Sequence, residues 1–217
     1  MVTRRKRKAE QGRRRGFPVL MWLALPVLVV AIGVGAFFAL RSGGESSDGS
    51  TTTGRSSPTA TAVAQLAPDF SLPAVGGGTV SLSDFKGKEY VLLFFNEGIG
   101  CGGCWQQIPD LEQDAEFSAL DVQLVSIMVD PLDQLAAEAA KWGITTPVLS
   151  DGDRSVSQAY DALTASMHPG IRPGHTFLLV DKDGSILWRR DWRGHGEAMY
   201  FEVKEVYTEV AKRLSGT

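Results

Sequence analysis

A chain of 217 residues with 43% hydrophobic and 22% charged side chains suits one globular domain with an appendage. Its net charge of −3 conceals a division: residues 1–17 carry eight Lys/Arg against one Glu, about +7, and the remainder, 14 basic and 24 acidic side chains, sums to about −10. The acidic bulk and the lack of a phosphate-cradling glycine pattern argue against a nucleic-acid partner.

The basic run 1–17 leads into "GFPVLMWLALPVLVVAIGVGAFFAL", which has no charge. As a helix, 18–40 would be roughly 34 Å long at about 1.5 Å per residue, enough for a hydrocarbon core. The expectation is a transmembrane helix with a cytoplasmic basic tail and everything after it outside the cytoplasm: a single-pass cell-membrane protein. A cleaved signal peptide is the competing reading, but its apolar stretch would be shorter, and no small-x-small cleavage site stands near Ala39 to Gly44. Residues 41–65 are rich in Ser, Thr and Gly without an aromatic, a flexible tether. That leaves 66–217 as the folded domain. A domain of this size builds its own core and needs no disulfide staple.

Within the domain, "TVSLSDF" alternates as a short strand and "KGKEY" turns the chain. "YVLLFFN" is a near-continuous apolar run, as in a strand buried on both faces. "CWQQIPDLEQDAEFSAL" reads as a helix interrupted by Pro109, "DVQLVSIMVD" as a second buried strand, and "DQLAAEAAKWG" as a helix stopped by Gly143. "PVLSD" is a short strand and "RSVSQAYDAL" a helix. "HTFLLVDKDGSILWRRD" reads as two strands joined by an Asp-Gly turn at Asp183–Gly184. Val203, Val206, Tyr207, Val210 and Leu214 share one face of a closing helix. This order predicts an α/β domain: a central mixed β-sheet flanked by helices.

Cys101 and Cys104, the only cysteines, fall just beyond a buried strand at the first turn of a helix. Unpaired N–H groups and the positive end of the helix dipole favour a thiolate there. Cysteines at i and i+3 can also close a disulfide on each other with little backbone movement, and Gly102–Gly103 leaves room for a partner's backbone.

The strand, the Cys-x-x-Cys at a helix start and Pro109 five residues later resemble the active-site helix of the thioredoxin superfamily. "APDFSLPAVGGGTVSLSDFKGK" resembles the opening of its redoxin branch, which includes AhpC/TSA peroxiredoxins and TlpA-like membrane-anchored thiol proteins. "VLSDGDRSVSQAYDAL" is similar to a peroxiredoxin segment. "PGHTFLLVDKDGSILW" is similar to the part of the thioredoxin-like fold where a cis-proline faces the cysteines; Pro173, or else Pro169, would be that proline, with Arg172 and His175 beside it. For thiol–disulfide exchange the resemblance implies that Cys101 attacks and Cys104 resolves, with Trp105 and the backbone around Pro173 bordering a docking groove. No cofactor is implied beyond the redox-active Cys101–Cys104 pair. The partners would be exported cysteine-containing proteins and a membrane or thioredoxin-type electron donor.

Two alternatives remain. Aligned as a thiol peroxidase with its reactive cysteine on Cys104, the chain puts Cys101 where the family has Thr or Ser, Glu97 where it has Pro, and Gly174 where it has an arginine. A Sco-like copper site would join Cys101, Cys104 and His175, although the Sco spacing is longer by one residue. Glu97 is a candidate acid/base near the thiols or a solvated loop residue. His175 is a candidate proton donor or a loop-fixing residue. His168 and His195 read as loop or surface residues.

Overall fold

The structure, a computed structural model, describes residues 65–194 and 199–216. The expected basic tail, membrane helix and all of the tether but Gln65 therefore lie outside the described residues. Among those described, no helix is long and apolar enough to cross a membrane.

The sheet grows from the apolar runs. β3 (Tyr90–Phe95) is central, with parallel β4 (Val122–Met128) on one side and antiparallel β6 (Thr176–Val180) on the other. β5 (Val148–Ser150) extends the sheet beyond β4, and β7 (Ile186–Asp191) beyond β6, giving the order β5-β4-β3-β6-β7. The mixed sheet is as expected. β3 lacks polar residues because both of its faces are covered, and its alternation divides the core in two. Leu92 and Phe94 join one cluster with α1 (Gly102–Gln113), α3 (Leu132–Trp142) and α5 (Val203–Leu214). Val91, Leu93 and Phe95 join the other, with Phe70, Leu72 and Tyr160. That second face is roofed by the hairpin β1 (Ser71–Pro73) and β2 (Thr79–Ser81) and by the short helix α4 (Ser155–Ala159).

Several local outcomes depart from the sequence reading. α1 continues through Pro109, where an interruption was expected. The helix expected to run through to Leu120 breaks at Asp114, whose carboxylate accepts the Phe117 N–H at 2.8 Å and caps a separate turn, α2 (Ala115–Ser118). The helix expected over "RSVSQAYDAL" keeps five residues, held at its start by the buried Asp151 carboxylate, which accepts from Val156 and Ser157. β1 was not anticipated: three residues with one side chain inward are too short to show alternation.

Candidate functional site

β3 ends at Phe95, and the chain reaches α1 through Asn96 to Gly100. The Asn96 side chain accepts the Gly98 N–H at 3.0 Å, and Gly98 takes φ +67°. A Cβ at Gly98 would run into the Asp130 carboxylate, so this glycine is demanded by close approach as well as by its backbone. The Gly98 carbonyl accepts from the Cys101 N–H (3.1 Å) and the Trp105 indole N–H (3.0 Å), tying the loop to the helix start.

Cys101 is the N-cap of α1, and Cys104 ends its first turn. They form a disulfide with Cα atoms 5.3 Å apart, and the Cys104 N–H points at the Cys101 sulfur from 3.2 Å. That donor, at the positive end of the α1 dipole, is placed to receive negative charge on Cys101. The two sulfurs are not equivalent: Cys101 is 7% exposed and Cys104 is sealed at 0%. Of the two, only Cys101 keeps any exposed surface.

An ion-pair network behind the loop holds it in place. Arg172 grips Asp130 with two bonds of 2.9 and 2.8 Å and donates to the Glu97 carbonyl at 2.5 Å. The hydrogen-bonded Asp130 carboxylate raises the guanidinium pKa further. Asp130, 4% exposed, also accepts the Ile99 N–H at 3.0 Å. The Glu97 carboxylate, 3% exposed, accepts from Ser166 Oγ (2.6 Å) and the Met167 N–H (2.7 Å) and lies 3.1 Å from His168 Nδ1. Glu97 is thus neither a solvated loop residue nor an acid/base aimed at the sulfurs; its oxygens are taken up by the 166–168 loop.

The segment after β7 lies along α1. A Cβ on Gly103 would stand 2.6 Å from the Met199 carbonyl, so the second glycine between the cysteines is where this strap touches the helix. One turn on, Gln107 Oε1 accepts the Phe201 N–H at 2.7 Å and meets His175 Nε2 at 3.2 Å; beyond that, Tyr200 donates to Asp110 at 2.8 Å. His175 is fully buried with its ring packed edge-on to Phe94, Phe177 and Phe201. Burial pulls its pKa down to about 3, so the imidazole is neutral and Nε2 carries the hydrogen that Gln107 accepts.

The AhpC/TSA family model matches residues 63–189. The chain belongs to the AhpC/TSA family. Among relatives, the thiol-disulfide oxidoreductase ResA of Bacillus subtilis is 30% identical over 166 residues, covering 75% of this chain and 78% of ResA. Peroxiredoxin Bcp of the same organism is 27% identical over 135 residues, covering 60% and 84%. Among solved structures, the reduced 2-Cys peroxiredoxin of Plasmodium vivax superposes with a TM-score of 0.61 at 25% identity, covering 71% of this chain and 97% of that one. Peroxidoxin BcpB of Mycobacterium tuberculosis gives 0.57 at 22%, covering 70% and 96%, a likeness of fold. This AhpC/TSA protein is therefore an oxidoreductase with the thioredoxin-like fold, and its families work through cysteine redox chemistry without a cofactor.

Several sequence expectations are redrawn by the geometry. No described peptide bond is cis, so the cis-proline expected at Pro173 or Pro169 is absent; Gly174, two residues before β6, packs so tightly that a Cβ would overlap the Ala165 carbonyl. Trp105 is 2% exposed with its indole turned to the Gly98 carbonyl, so it braces the cysteine loop instead of bordering an open groove. His175 points into the core, and among the described residues no three His, Cys, Asp or Glu side chains group as a metal site, which leaves the copper reading without a donor set. A cleft of about 720 Å³ between β1 and α4 is lined by neither cysteine. Asp130, Gln107 and Met199 escaped the sequence reading. A lone Asp at a strand end, a Gln in a helix and a Met in a loop give no signal until the fold sets them beside Arg172, His175 and Gly103.

Proposed function

We propose that this protein is a membrane-anchored thiol–disulfide oxidoreductase acting outside the cytoplasm through Cys101 and Cys104, with Glu97, Trp105, Arg172 and His175 in supporting positions. The observation that carries the reading is the disulfide at the start of α1, with Cys101 at 7% exposure and Cys104 at 0%. In the reducing direction the Cys101 thiolate attacks one sulfur of a partner's disulfide. A mixed disulfide forms and the partner's other sulfur leaves as a thiolate, which takes up a proton. Cys104 loses its proton and attacks the Cys101 sulfur; the mixed disulfide breaks, the second partner thiol leaves, and Cys101–Cys104 closes. Two electrons and two protons have passed to the partner, and an electron donor at the membrane would restore the dithiol. Run backwards, the same steps donate a disulfide. Glu97, Arg172 and Trp105 hold the loop that presents Cys101, while Gln107, His175 and the 199–201 strap support the Cys104 side.

Peroxide reduction is the second reading, favoured by the likeness to Bcp. Against it, the position of the family's arginine is Gly174, which has no space for a side chain, and the Arg172 guanidinium is engaged by Asp130. Gly174 therefore supplies no guanidinium to polarise an O–O bond over the sulfur, and that of Arg172 is held by Asp130 and the Glu97 carbonyl.

A redox titration tests the proposal: the oxidised fraction is counted by thiol alkylation in buffers of set potential. A single two-electron transition is expected, near about −270 mV for a reductant or about −120 mV for a disulfide donor. Cys101→Ser should abolish turnover of a model disulfide, and Cys104→Ser should accumulate the mixed disulfide. Turnover that survives Cys101→Ser, or consumption of hydrogen peroxide faster than of any disulfide, would overturn it.

A further inference from the structure

To resolve a mixed disulfide Cys104 must become a thiolate, yet it is fully buried in the core cluster that holds Phe94, Trp105 and Ile108. Apolar burial disfavours the anion, and the N–H of Cys104 itself is turned to the Cys101 sulfur. The carboxylates on the surrounding elements are committed elsewhere: Glu97 to the 166–168 loop, Asp130 to Arg172, Asp110 to Tyr200 and Gln106. Gln107 is different. It is fully buried one turn after Cys104, and its Nε2 has no hydrogen-bond partner among the described residues. The way round of its amide is fixed, because the Phe201 N–H can only donate and so meets the oxygen at 2.7 Å; His175 Nε2, at 3.2 Å, donates to that same oxygen. The amide N–H groups are left over, and an unmet buried donor calls for a partner. At about 100° per residue, Gln107 stands between Gly103 and Cys104 around the helix, about 40° from one and about 60° from the other. Helical side chains lean towards the N-terminus, which lays this amide over the turn that carries both. The strap holds the oxygen from the Gly103 side, where the Met199 carbonyl would meet a Cβ at 2.6 Å. Across the planar amide, the nitrogen falls on the Cys104 side.

We infer that Gln107 Nε2 is the donor that receives the Cys104 sulfur once the disulfide is reduced, and that it speeds the resolving step. The inference rests on the exchange reading above. In the oxidised protein the Cys104 sulfur is bonded to Cys101 and carries no charge for a donor to meet. In the mixed disulfide the Cys104 thiol gives its proton up to solvent, and the anion left among apolar side chains takes the amide N–H. The thiolate then attacks the Cys101 sulfur, the bond from Cys101 to the partner breaks, and the partner sulfur leaves with the electron pair. Phe201 and His175, by holding the oxygen, keep the nitrogen aimed. A hydrogen bond to an ion raises the thiolate fraction about 10- to 100-fold. The less basic thiolate is a weaker nucleophile, which leaves about three- to fifteen-fold in rate.

The test mixes the reduced full chain with an aromatic disulfide, dithiobis(nitrobenzoate), and follows the coloured thiolate it releases. The first equivalent leaves as Cys101 attacks and the second as Cys104 displaces it from Cys101, so one trace reads both steps. Gln107→Met keeps the length of the side chain without a donor. It should slow the second phase about three- to fifteen-fold and move the pH midpoint of that phase upward. The first phase should stay within about twofold of wild type, which also shows a folded site. Tyr200→Phe loosens the strap at Asp110 while keeping Gln107, and separates the donor from the strap. An unchanged second phase in Gln107→Met, as for an amide that meets only a buried water, overturns the inference; so does equal slowing of both phases, or a second phase slowed as much by Tyr200→Phe. Should the methionine variant not fold, nitrogen NMR of the wild type decides. The Gln107 side-chain amide should titrate with Cys104 in the reduced protein and stay still in the oxidised one; an amide that stays still in both overturns the inference. Release of a single equivalent by the wild type overturns the exchange reading and the inference together.

Discussion

His175 offers the sharpest link between burial and a measurable property. In the folded protein its pKa lies at about 3 against 6.5 for the free side chain, because burial excludes the charged ring. The unfolded chain therefore binds a proton through the window from 6.5 down to 3 that the native state refuses. The stability associated with the neutral ring is complete above pH 6.5 and drains away as pH falls towards 3. At pH 4.5 the unfolded ring sits two units below its pKa while the folded ring is still neutral, so the loss is about 2–3 kcal/mol and hardly depends on the folded value. His175→Phe keeps an aromatic ring among Phe94, Phe177 and Phe201 and removes the titration. Urea unfolding of oxidised wild type and variant at pH 7.5 and 4.5 isolates the effect. Titrating carboxylates are common to both proteins and cancel, as does any fixed cost of the substitution. The wild type should lose about 2–3 kcal/mol more than the variant between the two pH values. Losses equal to within about 1 kcal/mol would place a solvated or protonated imidazole in the native state and refute its position in the core.

Asp130→Ala would strip Arg172 of its two-bond partner and Ile99 of its acceptor; because Arg172 keeps some water, a loss of about 2–3 kcal/mol is expected rather than the full cost of a sealed pair, read by urea unfolding together with faster hydrogen exchange at the Ile99 amide. Gly103→Ala would press a methyl group onto the Met199 carbonyl, costing about 1–3 kcal/mol and lifting the strap, so reduced Cys104 should alkylate faster than in the wild type. Gly174→Arg would restore the arginine of the peroxidase pattern in sequence only: it should lower the melting temperature and add no peroxide turnover in a consumption assay, since Ala165 occupies the place of its Cβ.

What could be read in the sequence was what repeats or is chemically singular. Runs such as "YVLLFF" announce a strand covered on both faces, five apolar positions mark the face of α5, and a lone Cys-x-x-Cys marks the site. What could not be read is held by pairs far apart in the chain. Asp130 and Arg172 are 42 positions apart, and Gln107 and Phe201 are 94 apart; neither partner of either pair has a local pattern. Asp114 failed for the opposite reason: its capping role is local, but no glycine or proline beside it marks a stop in a stretch read as helix through to Leu120.

These long-range pairs also explain why the site departs from the geometry expected of Pro173. Ahead of β6 the chain carries the buried His175 and Gly174, whose lack of a Cβ lets the Ala165 carbonyl pack against it. That inward packing brings Ser166, Met167 and His168 within reach of Glu97, a residue the sequence alone offers equally as an acid/base or as loop filler. The carboxylate is thereby committed to binding a loop. A carboxylate so occupied cannot also shuttle protons to sulfur without releasing the segment it holds. If Glu97 holds the loop, Glu97→Gln should keep the Ser166 and Met167 bonds through its side-chain oxygen and leave the pH profile of exchange unchanged. A profile that instead lost one ionisation in the variant would return Glu97 to proton transfer.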